Sequence, residues 1–87
     1  MSSYLMFLPQ TNEEKIFLNK IFFGARKAND MSQRECLVID QSNKMYGVSL
    51  SFFHHMRHDE EYRTRDITYR EVKLLALRHA TGEITLN

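Results

Sequence analysis

Thr11–Asn29, TNEEKIFLNKIFFGARKAN, is the stretch on which the fold turns. At 3.6 residues per turn its side chains Phe17, Leu18, Ile21, Phe22, Ala25 and Ala28 fall within an arc of roughly 140°, the width of a stripe that faces a core. Thr11 followed three residues later by Glu14 is a capping box, in which each side chain satisfies a backbone N–H that the first turn leaves unpaired. Pro9 keeps the helix from extending further back. Burying the four large side chains of the stripe contributes about 6–12 kcal/mol gross, as much as the net stability of a small domain. The helix therefore packs on something, and Asn29 and Asp30 draw its exit, with Arg26 and Lys27 complementing the dipole of the last turn.

The opposite face is not purely polar. Ile16 and Phe23, seven residues apart and hence stacked two turns apart, stand among Asn19, Lys20 and Lys27. Either another element of the chain covers them, or they belong to an interface, since apolar groups rimmed by polar ones mark contact surfaces. Ile16, Phe23, Lys20 and Lys27 are accordingly the partner-binding candidates.

Outward from this helix, Tyr4–Leu8 is a short aromatic and aliphatic run that reads as a first strand. ECLVID, residues 35–40, and MYGVSL, residues 45–50, flank the turn-forming QSNK and read as a hairpin. In the second of these runs Tyr46, Val48 and Leu50 alternate with Gly47, Ser49 and Ser51, so one face is apolar and the other small and polar. Residues 52–62 fit either more strand or a helix. Ser51 is a good N-cap, and the helical reading is preferred, with Phe52, Phe53 and Met56 turned inward.

HDEEYRTRD, residues 58–66, is charged but for one Tyr and one Thr and reads as a solvated helix end, a loop and a hinge. A second firm helix runs from Ile67 or Tyr69 to Ala80, capped by Thr68 with Glu71 and stopped by Gly82. Its inner stripe is Tyr69, Val72, Leu75, Ala76 and Ala80, which leaves Leu74 and Leu77 pointing elsewhere beside Arg70, Lys73 and Arg78. The tail Glu83–Leu86 fits an edge strand beside the first one.

These elements make a single α+β domain over residues 1–87, a small antiparallel sheet of three or four strands packed with two or three helices. Eighty-seven residues are enough for one modest core and too few for two. A hydrophobic fraction of 43% and a charged fraction of 26% are those of an ordinary globular protein. Twelve basic against eleven acidic residues leave a net charge of +1 that selects no partner. One cysteine, Cys36, cannot form an internal disulfide, and the run at Tyr4–Leu8 is too short for a signal peptide or a membrane span. The expected location is cytoplasmic, with no membrane association.

The motifs of catalysis are missing. There is no glycine-rich phosphate loop and no G-x-S-x-G, and Asp59, Glu60 and Glu61 are adjacent residues that would point in different directions on a helix. His54 and His58 share a helical face with Glu61 and suggest zinc, yet a closed site needs a fourth ligand and HExxH is absent, so His54, His55 and His58 read as a solvated turn. His79 reads as a packed histidine and Cys36 as a packing residue. No metal, no cofactor and no enzymatic activity are expected.

Arg63, Arg65, Arg70, Lys73 and Arg78 place five cations against Asp66 and Glu71 within sixteen residues. Such a strip suits phosphate contacts and marks nucleic acid as the alternative partner, although a solvated face with paired arginines has the same composition. In its T-x-R-E start and following leucines, ITYREVKLLALRHATGE resembles the first helix of the LuxR-type helix-turn-helix domain. The sequence ends at Asn87, where no recognition helix is expected to follow, so no residue role is carried over.

Surplus apolar surface on both firm helices points instead to a homodimer or a hetero-complex. The expected function is a small non-enzymatic protein-binding module, an inhibitor or adaptor of the kind that phages and mobile elements encode, acting by occupying a surface on a larger host protein. A nucleic-acid-binding regulator using residues 63–78 is the alternative.

Overall fold

The computed structural model describes residues 2–23 and 35–80, with the backbone alone at residues 22, 23, 79 and 80. Seven elements follow in order: β1 (Ser2–Phe7), α1 (Asn12–Phe23), β2 (Cys36–Ile39), β3 (Met45–Val48), α2 (Leu50–His58), β4 (Tyr62–Asp66) and α3 (Tyr69–Ala80). The four strands form one sheet in the order β3-β2-β1-β4. This is the α+β architecture expected, with three helices.

Why the sheet is covered on both sides can be read in β2. Cys36, Leu37, Val38 and Ile39 are all 2% exposed or less, so a strand whose side chains alternate between faces finds apolar cover on each. Leu37 and Ile39 join Phe7, Leu18, Met45, Ile67 and Val72 on one face. Cys36 and Val38 join Met6, Phe53 and Met56 on the other. Helices α1 and α3 cover the first face and α2 the second.

The β2–β3 hairpin forms as expected, antiparallel with Ile39 opposite Met45 and Cys36 opposite Val48. β1 runs antiparallel to β2, with Met6 opposite Val38. β4 is the departure. It lies parallel to β1 from Ser2↔Tyr62 to Met6↔Asp66, and the Ile67 N–H continues the ladder to the Met6 carbonyl at 2.9 Å. The sheet is therefore mixed rather than wholly antiparallel, and the segment read as a loop and hinge is a strand. Tyr62 and Thr64 are half-buried while Arg63 and Arg65 are exposed. That is a period of two hidden under charge, as edge strands that discourage unwanted pairing often show. The tail expected beside β1, residues 83–86, lies outside the described residues, and β4 holds that place.

Local chemistry sets the helix starts. Thr11 Oγ1 accepts from the Glu14 N–H at 3.1 Å, and Glu14 reaches back to the Gln10 N–H at 3.0 Å, one residue before the cap it was expected to serve. Leu18 is buried, and Phe17 and Ile21 pack beside it. Residues 24–34, including the exit expected at Asn29 and Asp30, lie outside the described residues.

α2 is helical, but Ser49 rather than Ser51 is its N-cap, accepting from the Phe52 N–H at 3.2 Å. The helix starts two residues earlier than expected, and its inward pair is Phe53 and Met56, while Phe52 is 46% exposed. The helix ends at His58, so Tyr62 belongs to β4.

The hairpin turn is held by one carboxylate. Asp40 accepts from the Ser42 hydroxyl at 2.7 Å, the Ser42 N–H at 2.9 Å, the Lys44 N–H at 3.0 Å and the Tyr46 hydroxyl at 3.2 Å. Asn43 takes the left-handed conformation at φ 66°, which asparagine tolerates better than most residues.

Candidate functional site

α3 owes its position to its two ends and one stripe. Thr68 and Glu71 form the reciprocal capping box read from the sequence, each side chain accepting from the other's backbone N–H at 3.2 Å. Val72 is fully buried, with Tyr69 and Leu75 packed around it. The Tyr69 ring stacks on Phe7 at 6.2 Å and meets Phe17 of α1 edge-on at 5.5 Å. Burial, then the carboxylates of Glu13 and Glu14, raises the Tyr69 phenol above its usual pKa. One side of α3 is thus fixed against the sheet and α1.

The other side carries Leu74 and Leu77, one turn apart and 54% and 62% exposed. Around them Arg70, Lys73 and Arg78 are exposed as well. Two large apolar groups ringed by cations, on a helix whose inner face is already satisfied, form the best-defined patch among the described residues. The sequence separated these leucines from the core stripe but did not name them as a site. Their i, i+3 spacing away from Val72 was the signal that would have found them.

The five cations read as one strip divide between two elements. Arg63 and Arg65 lie on β4, level with Ser3 and Leu5 of β1, and they line a groove of about 370 Å³ with Ser3, Asp40 and Asn43. Arg65 pairs with Glu71 at 3.6 Å. Lys73 places its Nζ 4.5 Å from the Tyr69 ring centroid. Arg63 and Arg78 each make interactions within the chain.

On α1, Ile16 is 55% exposed and Lys20 is exposed beside it. The Phe23 side chain and Lys27, the remaining partner-binding candidates, lie outside the described residues. So does the side chain of His79.

α2 shows an apolar pair that the sequence did not reveal, Leu50 at 37% and Phe52 at 46% exposed. His54, His55 and His58 stand on its solvent side. Glu61, expected on the same helical face, sits in the turn before β4, because α2 has already ended at His58. Among the described residues no three His, Cys, Asp or Glu side chains come together as metal ligands. His55 Nε2 lies 3.6 Å from Asp59 Oδ2 on an exposed edge. Arg57, by contrast, turns its guanidinium over the Phe53 ring at 4.7 Å and bonds Asp66 at 2.6 Å, tying α2 to the end of β4.

Cys36 is fully buried. Burial, with the nearby Glu35 charge, pushes its thiol up to about 11 against the lowering influence of Arg57. A neutral thiol in an apolar layer is a packing residue and a poor nucleophile.

No known protein family, curated protein or solved structure matches the chain. The patch on α3 is therefore interpreted from its own chemistry. Among the described residues no helix is long and apolar enough to cross a membrane.

Proposed function

We propose that the chain is a small non-enzymatic protein-binding module, an inhibitor or adaptor that occupies a surface on another protein. The observation carrying this reading is the pair Leu74 and Leu77, more than half exposed on a helix whose opposite side is already packed. Leaving them in water forgoes burial worth about 1 kcal/mol or more for each, a cost that an interface recovers. Ile16, 55% exposed on α1, is a separate exposed apolar group.

The test compares tagged wild-type protein with Leu74→Asp/Leu77→Asp and with Ile16→Asp, used as bait in nuclease-treated extract of the source cells. Circular dichroism establishes that each variant is folded. The expected result is a defined protein retained by the wild type and lost from the Leu74→Asp/Leu77→Asp variant. The same proteins retained by every bait would overturn the reading.

A second reading, nucleic-acid binding, draws on Arg63 and Arg65 side by side in their groove. It ranks behind because Asp40 lines the same groove and Glu71 pairs with Arg65. Arg65→Ala with Lys73→Ala weakens a nucleic-acid complex and flattens its salt dependence if that reading holds.

A further inference from the structure

The outer face of α3 has the layout of one coiled-coil heptad. With Leu74 at a and Leu77 at d, Lys73 falls at g, Arg78 at e and Arg70 at the preceding d, and all five are exposed. The e and g positions of such a seam choose the partner by charge. Glu71, at the preceding e, is the acid of this face, and it is engaged by the Thr68 N–H and by Arg65. Among the described residues, three cations against one carboxylate leave the face with a net charge of +2.

Resting on the protein-binding reading above, we infer that the occupant of this face is an acidic amphipathic helix. Its apolar stripe covers Leu74 and Leu77, and its flanking carboxylates meet Lys73, Arg78 and Arg70. A ridge of two leucines one turn apart on a helix is matched by the groove of another helix. A second copy of the chain would bring the same +2 face against itself, so charge complementarity selects a different chain. A phosphate backbone would satisfy the cations but would leave both leucines in water.

The experiment uses the full chain and three labelled three-heptad peptides, read by fluorescence anisotropy at low and high salt. The first carries leucine at a and d with glutamate at e and g. The second replaces those glutamates with lysine, and the third keeps them but replaces the leucines with glutamine.

The expected result is binding of the first peptide about tenfold or more tighter than either control, with the margin over the lysine peptide shrinking in salt. Leu74→Asp/Leu77→Asp removes that binding, and Arg70→Glu/Lys73→Glu transfers the preference to the lysine peptide. The inference is overturned if the first peptide does not bind, or if the glutamine control binds as well. It is equally overturned by a dimer that light scattering detects and Leu74→Asp/Leu77→Asp dissociates, or by a DNA duplex bound through Arg70 and Lys73 whatever stands at positions 74 and 77. Failure of the peptides with extract capture intact removes the acidic helix and leaves the binding module. Failure of both removes the module as well.

Discussion

Truncating α3 on its two sides should give opposite answers from one helix, which makes it a direct test of which side faces the core. Val72 is 0% exposed. Val72→Ala removes two methyl groups, worth about 1.6 kcal/mol in transfer, and the unfilled space brings the loss to roughly 2–3 kcal/mol. Leu77 and Leu74 are 62% and 54% exposed, so each realises less than half of the roughly 1.5–3 kcal/mol that a fully buried leucine contributes. Leu74→Ala/Leu77→Ala removes six heavy atoms, against two for Val72→Ala, yet should cost only about 1–2 kcal/mol, part of it offset by the better helix propensity of alanine. Guanidinium denaturation of all three proteins reads these values as shifts in midpoint at constant slope. In a domain of this size, 1 kcal/mol corresponds to roughly 4–8 °C in Tm. A double leucine variant that loses more stability than Val72→Ala would refute the assignment of faces, and with it the exposed ridge on which the proposed interface stands.

Two other expectations concern single titratable groups. The folded-state pKa of Cys36 is raised from 9.0 to about 11, so the native chain binds the thiol proton more tightly than the unfolded chain. Its contribution to stability is fully present below pH 9 and is lost as pH rises from there towards 11. Disulfide-exchange reagents at pH 8 should modify the native thiol slowly and the denatured one at once, and prompt native labelling would contradict the buried placement. Asp40 titrates below the ordinary carboxylate value because of its bonds from Ser42 first and then Lys44 and Tyr46. Its stabilising effect is therefore present above roughly pH 4, where the unfolded carboxyl is ionised, and disappears as pH falls through the folded value. Asp40→Asn should be less stable than wild type at pH 7 and about equal to it at pH 2, as measured by thermal unfolding; a gap that persists unchanged at pH 2 would show that the charge is not what holds the turn.

What was legible in the sequence was whatever depends on neighbours along the chain. Thr11 with Glu14 and Thr68 with Glu71 declare two helix starts because a cap is completed within four residues. CLVI between polar clusters declares a strand because both of its faces are apolar. β4 was hidden for the converse reason. Its strand character lies in Tyr62 and Thr64 alternating with two arginines, and what makes it a strand is β1, some sixty residues earlier in the chain. Phe52 was misplaced because it lies only about 100° from Phe53 on the helix, near enough to read as the same stripe, and the packing of α2 on β2 and β4 decides which of the two turns inward. The basic strip was visible as composition, but its division between β4 and α3 follows from the passage from strand to helix at Ile67 and Thr68, which no charge count contains. Leu74 and Leu77 could be seen to be off the stripe, and only the packed fold establishes that no described element covers them.

The parallel pairing of β1 with β4 also sets the order of events as the chain is made. The strand nearest the start of the sequence is an interior strand of the sheet, and one of its edges waits for residues 62–66 to emerge from the ribosome. Until then Ser2–Met6 carries an unsatisfied edge of the sort that recruits foreign strands. A chain interrupted before Tyr62 would keep that edge for good. Fragments that stop before residue 62 should therefore depend on chaperones or be quickly degraded.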